Sequence, residues 1–158
     1  MKEIFDKRHA VTSFFLLVTG FVFLLMLITT GINFDRVKTL FQFGAMYGPI
    51  IRLFPEQLWR LFSAIFVHIG WEHFIVNMLS LYFLGGQVEE IFGSKQFFFL
   101  YLLSGMMGNL FVFAFTPKVL AAGASTSLYG LFAAIIVLRY ATRSPYIQQL
   151  GQSYLTLF

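Results

Sequence analysis

Residues 11–30 read VTSFFLLVTGFVFLLMLITT, and this stretch decides the fold class. It sits in a run of 26 uncharged positions, 9–34, bounded by Arg8 and Asp35. About 20 mostly apolar residues carry an α-helix across the hydrocarbon core of a bilayer, and only helices and closed barrels satisfy their own backbone there. Two further uncharged runs follow, of 22 positions at 96–117 and 20 at 119–138. A soluble body of 158 residues has no interior large enough to hide all three. The composition agrees, with 58% hydrophobic residues, 11% charged and a mean hydropathy of +0.78. So apolar a chain is not disordered, and zero cysteines exclude a disulfide scaffold. The expected fold is all-α: a polytopic membrane helix bundle of four spans plus the start of a fifth, forming one domain over 1–158.

Working outward, the expected spans are 11–30, about 71–86, 96–115 and a fourth that starts after Ala121-Ala122-Gly123-Ala124 and ends near Arg139. The second is the shortest, because its uncharged run, 73–88, holds only 16 residues. Residues 31–60 mix Asp35, Arg36, Lys38, Arg52, Glu56 and Arg60 with two prolines and many aromatics, which suits a first loop of interfacial helices rather than a crossing. The pair Gly85-Gly86 ahead of Glu89-Glu90 reads as a helix end followed by a charged turn. Residues 140–152 are polar, and 153–158 turn apolar as a fifth span would begin, so the expectation is a chain truncated at its C-terminus. The basic N-terminus followed by apolar residues resembles a secretory signal. Its apolar stretch is too long and lacks a small-residue cleavage site, so it reads as a retained anchor.

Eleven Lys plus Arg against seven Asp plus Glu give a net charge of +4. The basic residues are scattered between apolar runs instead of forming a stripe, which argues for a bilayer as partner and against nucleic acid. The expected location is the cell membrane, as a multi-pass protein. Orientation does not follow from charge: with the N-terminus inside, six basic residues fall inside and five outside.

Polar groups at hydrocarbon depth cost free energy unless they have a partner or a task. His73 and Asn77 are four residues apart, hence on one helix face, where both can donate hydrogen bonds toward a single point; they can equally serve as interhelical packing groups. His68 precedes them. Ser125 stands where the small-residue loop runs into the fourth span, among backbone amides and at the positive end of a helix dipole. An oxyanion would be stabilised there. The plainer use of the segment is a cap at Ser125 and a packing seam of Thr126, Gly130 and Ala134. Ser127 lies roughly 200° around the helix from Ser125, so the two cannot face one site. Trp59-Arg60, taken alone, reads as an interfacial anchor with a snorkelling cation.

Taken in order, Trp59-Arg60-Leu61-Phe62, His68, His73 to Asn77, Tyr82 to Glu89 and Gly123-Ala124-Ser125 resemble the rhomboid family of intramembrane serine proteases. The resemblance implies that Ser125 is the nucleophile of a Gly-x-Ser-Gly motif and that His73 and Asn77, with the serine amide, hold the oxyanion. It implies scaffold roles for Trp59-Arg60 and Glu89. Thr126 replaces the usual second glycine. The family's partner histidine, in a small-residue motif on a later span, has no counterpart here, since the histidines are His9, His68 and His73.

The resulting expectation is a serine endopeptidase that cleaves transmembrane helices of other membrane proteins, with the base supplied downstream. The 158-residue chain alone is expected to be inactive. The alternative is a rhomboid-like pseudoprotease that binds membrane-protein clients without cutting them. No cofactor is expected, nor any metal, because ligand spacings, nucleotide loops and haem motifs are absent from the sequence.

Overall fold

The computed structural model describes residues 9–156. Lys2, Lys7 and Arg8, and the last two residues of the apolar stretch 153–158, lie outside them. The described chain is all-α apart from one pair of two-residue strands. Helix α1 spans Ala10–Thr30, and the short helices α2 (Val37–Gln42), α3 (Gly48–Leu53) and α4 (Arg60–Ser63) make up the first loop. Helix α5 (Gly70–Ser80) passes through a π turn (Leu81–Gly85) into α6 (Gly86–Phe92). There follow α7 (Ser94–Phe115), α8 (Ser125–Ala141) and α9 (Pro145–Leu155). Helices α1 and α7 are long and apolar enough to cross a membrane, and α8 is a shorter apolar helix of 17 residues.

Two expectations about helix boundaries need correction. The glycine pair does not end the second helix: Gly85 and Gly86 take helical angles, φ −59° and −57°, and the chain stays helical to Phe92. The reason lies in α1. Thr12 approaches Gly85 so closely that a methyl group there would sit 3.2 Å from its Cγ2, and the Glu89 carboxylate faces the start of α1 instead of solvent. The stop is Gly93, whose φ of +82° a side chain rarely tolerates. The last helix begins at Pro145, well before residue 153. Proline suits its first turn, and the polar residues Gln148, Gln149 and Gln152 form its exposed face.

Glu89 is 2% exposed and acts as the missing cap of α1, whose own preceding residue, His9, supplies no side-chain cap bond. Its Oε1 accepts from Val11 N (3.0 Å) and Ser94 Oγ (2.6 Å); its Oε2 accepts from Thr12 N (2.8 Å) and Thr12 Oγ1 (2.7 Å). The carboxylate thus satisfies two orphan amides at a positive helix end and ties α1, α6 and α7 together. Above this knot the Phe15 ring stacks on Tyr101 at 4.1 Å, and further along α1 Phe23 stacks on Phe74 at 3.9 Å.

Arg60 is buried, not snorkelling. Its Nη1 donates to Phe41 O (2.5 Å) and Ala45 O (3.1 Å), its Nε donates to Gln57 Oε1 (2.8 Å), and the guanidinium covers the Phe41 ring at 3.7 Å. These contacts fold the first loop on itself. The antiparallel strands β1 (Met46–Tyr47) and β2 (Leu120–Ala121) then join that loop to the segment before α8, with Met46 opposite Ala121 and Tyr47 opposite Leu120.

Helices α7 and α8 meet through small residues. A methyl group at Gly108 would come within 2.6 Å of Thr126 Cβ, one at Gly130 would overlap Ser104, and one at Gly105 would overlap Ser127 Oγ. Thr126 and Gly130 of the expected packing seam thus lie against α7, with Ser127 beside them.

Candidate active site

The segment that delivers Ser125 is held from three directions. Strand β2 pairs with β1, Gly123 N donates to Ala64 O (2.8 Å), and Ala124 N donates to His68 Nε2 (3.3 Å). Gly123 has φ +128°, and its Cα lies against the His73 ring, so that a Cβ would stand 2.8 Å from His73 Nε2. A glycine is required there on both counts. Ser125 is the first residue of α8, where backbone amides lack helical partners.

Ser125, His73 and Asn77 line one cavity of about 360 Å³, together with Val76, Ser80 and Tyr129. Ser127 does not line it. That side chain is fully buried between α7 and α8, with the Tyr101 hydroxyl near it. Geometry thus separates the two serines as the helical angle requires. Asn77 is 4% exposed; its Nδ2 donates to His73 O one turn back (2.7 Å), while its Oδ1 is buried without a partner. One Nδ2 proton remains for a ligand. Leaving an amide oxygen unsatisfied in this way costs about 1–3 kcal/mol. Among the described residues no three of His, Cys, Asp or Glu converge as metal ligands.

His68 lies in the loop between α4 and α5, fully buried, its ring centroid 5.2 Å from that of His73. Its Nδ1 is 3.4 Å from Phe66 O, so the hydrogen-bond pattern assigns the proton to Nδ1 and leaves Nε2 to accept the Ala124 amide. Burial lowers its pKa to about 4, with the adjacent His73 adding in the same direction and the Phe66 carbonyl opposing. The unfolded chain, titrating near 6.5, binds this proton more readily than the folded one. Stability is therefore complete above pH 6.5 and falls as pH drops toward 4, by about 3 kcal/mol in all. Thermal unfolding in detergent between pH 7 and 4 should show that loss. A His68→Gln chain, which keeps an acceptor but cannot titrate, should lack this part of it; identical profiles would refute the assignment.

The structure brings His73, Asn77 and Ser125 together, and adds one group that the sequence reading does not single out and one role that it does not assign. Asn109 is buried and its Nδ2 donates to Leu61 O (2.8 Å), tying α7 to α4; an amide inside an uncharged run is legible by the criterion that selects Asn77. The acceptor role of His68 has no sequence signal, because its partner is a backbone amide 56 positions away.

The profile described as "Rhomboid domain" matches residues 55–158, well over half of the chain. The chain is 30% identical over 152 residues to the Rhomboid protease GluP of Bacillus subtilis (strain 168), covering 96% of this chain and 29% of that protein. It is 35% identical over 94 residues to Rhomboid-like protease 3 of Toxoplasma gondii, covering 60% of this chain and 35% of the relative. A third relative, the Inactive RHOMBOID-like protein 8 of Arabidopsis thaliana, is 31% identical over 81 residues, covering 51% and 23%. The chain thus spans about a third or less of the length of these relatives, among which are both proteases and a protein named inactive. With the profile matching from the first loop through α9, the chain belongs to the rhomboid family, whose members are integral membrane proteins.

Proposed function

We propose that this chain carries the nucleophile and the oxyanion site of an intramembrane serine endopeptidase acting on transmembrane proteins of the cell membrane, with four spans and the start of a fifth. The observation that carries the reading is the single cavity shared by Ser125, His73 and Asn77, from which Ser127 is excluded. Depth supports it as well. From Ser125 to Arg139 along α8 is about 21 Å, less than the roughly 30 Å hydrocarbon core, so a helix anchored by Arg139 at one boundary starts below the other.

In the proposed reaction the Ser125 hydroxyl adds to a peptide carbonyl, and its proton passes to a histidine. The carbonyl oxygen becomes negative and is held by His73, Asn77 and the Ser125 amide; collapse expels the amine, which takes the proton back. Water then repeats the sequence on the acyl-enzyme. The proton acceptor is not among this chain's histidines: His68 Nε2 already accepts the Ala124 amide, His73 serves as donor, and His9 pairs with Glu90 at 2.8 Å. A base contributed from outside these 158 residues completes the machinery, and the chain by itself is expected to leave a model transmembrane substrate uncut.

The second reading, a client-binding pseudoprotease, is favoured by that missing base and by the relative named inactive. A fluorophosphonate probe distinguishes them. The full gene product should label, Ser125→Ala should abolish labelling at least 10³-fold, and Ser127→Ala should retain it. Labelling that survives Ser125→Ala or moves to Ser127 excludes the proposed nucleophile, and no labelling at all supports the binder.

A further inference from the structure

A second concavity, of about 700 Å³, opens where the first loop meets the segment before α8. It lies apart from the Ser125 cavity and shares no lining residue with it. Lys38 stands on α2 and Lys118 just ahead of β2; both are exposed and both line it. The two segments that carry them are joined because Tyr47 pairs with Leu120 and Gly48 N donates to Pro117 O (3.0 Å). Among the described residues, neither lysine has a carboxylate within 4.0 Å. Between the two cations the floor is apolar, formed by Phe41, Ile50 and Leu120. Phe41 is fixed by Arg60, whose guanidinium stacks on its ring and donates to its carbonyl. The surrounding surface carries exposed apolar side chains: Val37 (67%), Leu53 (71%) and Val119 (54%). Such a rim belongs in lipid rather than water.

We propose that this concavity binds one anionic phospholipid, its phosphodiester between Lys38 and Lys118 and its upper acyl carbons along Phe41, Ile50 and Leu120. Two unpaired cations call for an anion, and an apolar floor with an apolar rim calls for an amphiphile drawn from the bilayer. A zwitterionic lipid brings its own ammonium group and gains less from the pair. The site is independent of the chemistry assigned to Ser125.

The test is native mass spectrometry of the full gene product in mild detergent, titrated with phosphatidylglycerol or phosphatidylcholine. Phosphatidylglycerol should be held on the order of tenfold more tightly. Lys38→Gln/Lys118→Gln should lose that preference, while Lys38→Arg/Lys118→Arg should keep it. The charge-matched control Arg36→Gln/Arg143→Gln should keep it too. Thermal unfolding in lipid-free detergent should be the same for all four chains, since every altered side chain is exposed. Equal loss in the control reduces the effect to general surface charge and overturns the proposal. A preference that survives loss of both lysines overturns it as well, and so does displacement of phosphatidylglycerol by inorganic phosphate at comparable concentration.

Discussion

Glu89→Gln should lower the unfolding free energy by at least about 3 kcal/mol, although the two side chains have nearly the same shape. Each carboxylate oxygen of Glu89 accepts a backbone amide, Val11 N on one and Thr12 N on the other. Glutamine has one oxygen, so in either flip its NH₂ group points at an N–H donor, and one buried amide at the start of α1 loses its partner. The charge that complements the helix end goes with it. Denaturant or thermal unfolding in detergent measures the loss. Glu90→Gln, at an exposed carboxylate bonded to His9, is the control and should cost no more than about 1 kcal/mol. Equal costs for the two would show that Glu89 is not the tie between α1, α6 and α7.

Gly123→Ala should do its damage at the site. The residue sits at φ +128°, where a side chain is strained by about 1–3 kcal/mol, and its Cβ would drive into the His73 ring. Since the same loop carries Ser125, a displacement of about 1 Å is expected to reduce fluorophosphonate labelling roughly 10²-fold. Gly70→Ala separates strain from collision, because Gly70 also has positive φ, +73°, but open space where a Cβ would go. It should cost stability and leave labelling within a few-fold of normal. Loss of labelling in both chains to the same degree would mean that backbone strain alone, not the Gly123–His73 contact, explains the effect.

These two positions show where sequence was informative and where it was not. Uncharged runs reveal α1, α7 and α8 because a bilayer tolerates little else, and the spacing of His73 and Asn77 reveals a shared face because helix periodicity is local. Glu89 misleads: a carboxylate after two glycines reads as a solvated turn, and its partner, the start of α1, is 77 positions away. The same holds for Arg60, whose acceptors are carbonyls in the preceding loop, and for β1 and β2, two-residue strands whose pairing carries no periodicity. His68 was legible as a polar residue near the site, but its job, accepting the Ala124 amide, depends on a loop conformation set by Gly123 and Ala64. Local pattern identifies the long apolar helices and the face that His73 and Asn77 share; the contacts that align them come from distant backbone groups.

The central claim is that Ser125 attacks an acyl carbon whose oxygen is held by His73, Asn77 and the Ser125 amide, and a structure of the full gene product phosphonylated by the fluorophosphonate probe tests it most directly. The phosphorus should be bonded to Ser125 Oγ, with the phosphonyl oxygen about 2.7–3.1 Å from a His73 ring nitrogen, Asn77 Nδ2 and Ser125 N. An adduct on Ser127, or a phosphonyl oxygen turned toward lipid and away from Asn77, would contradict it.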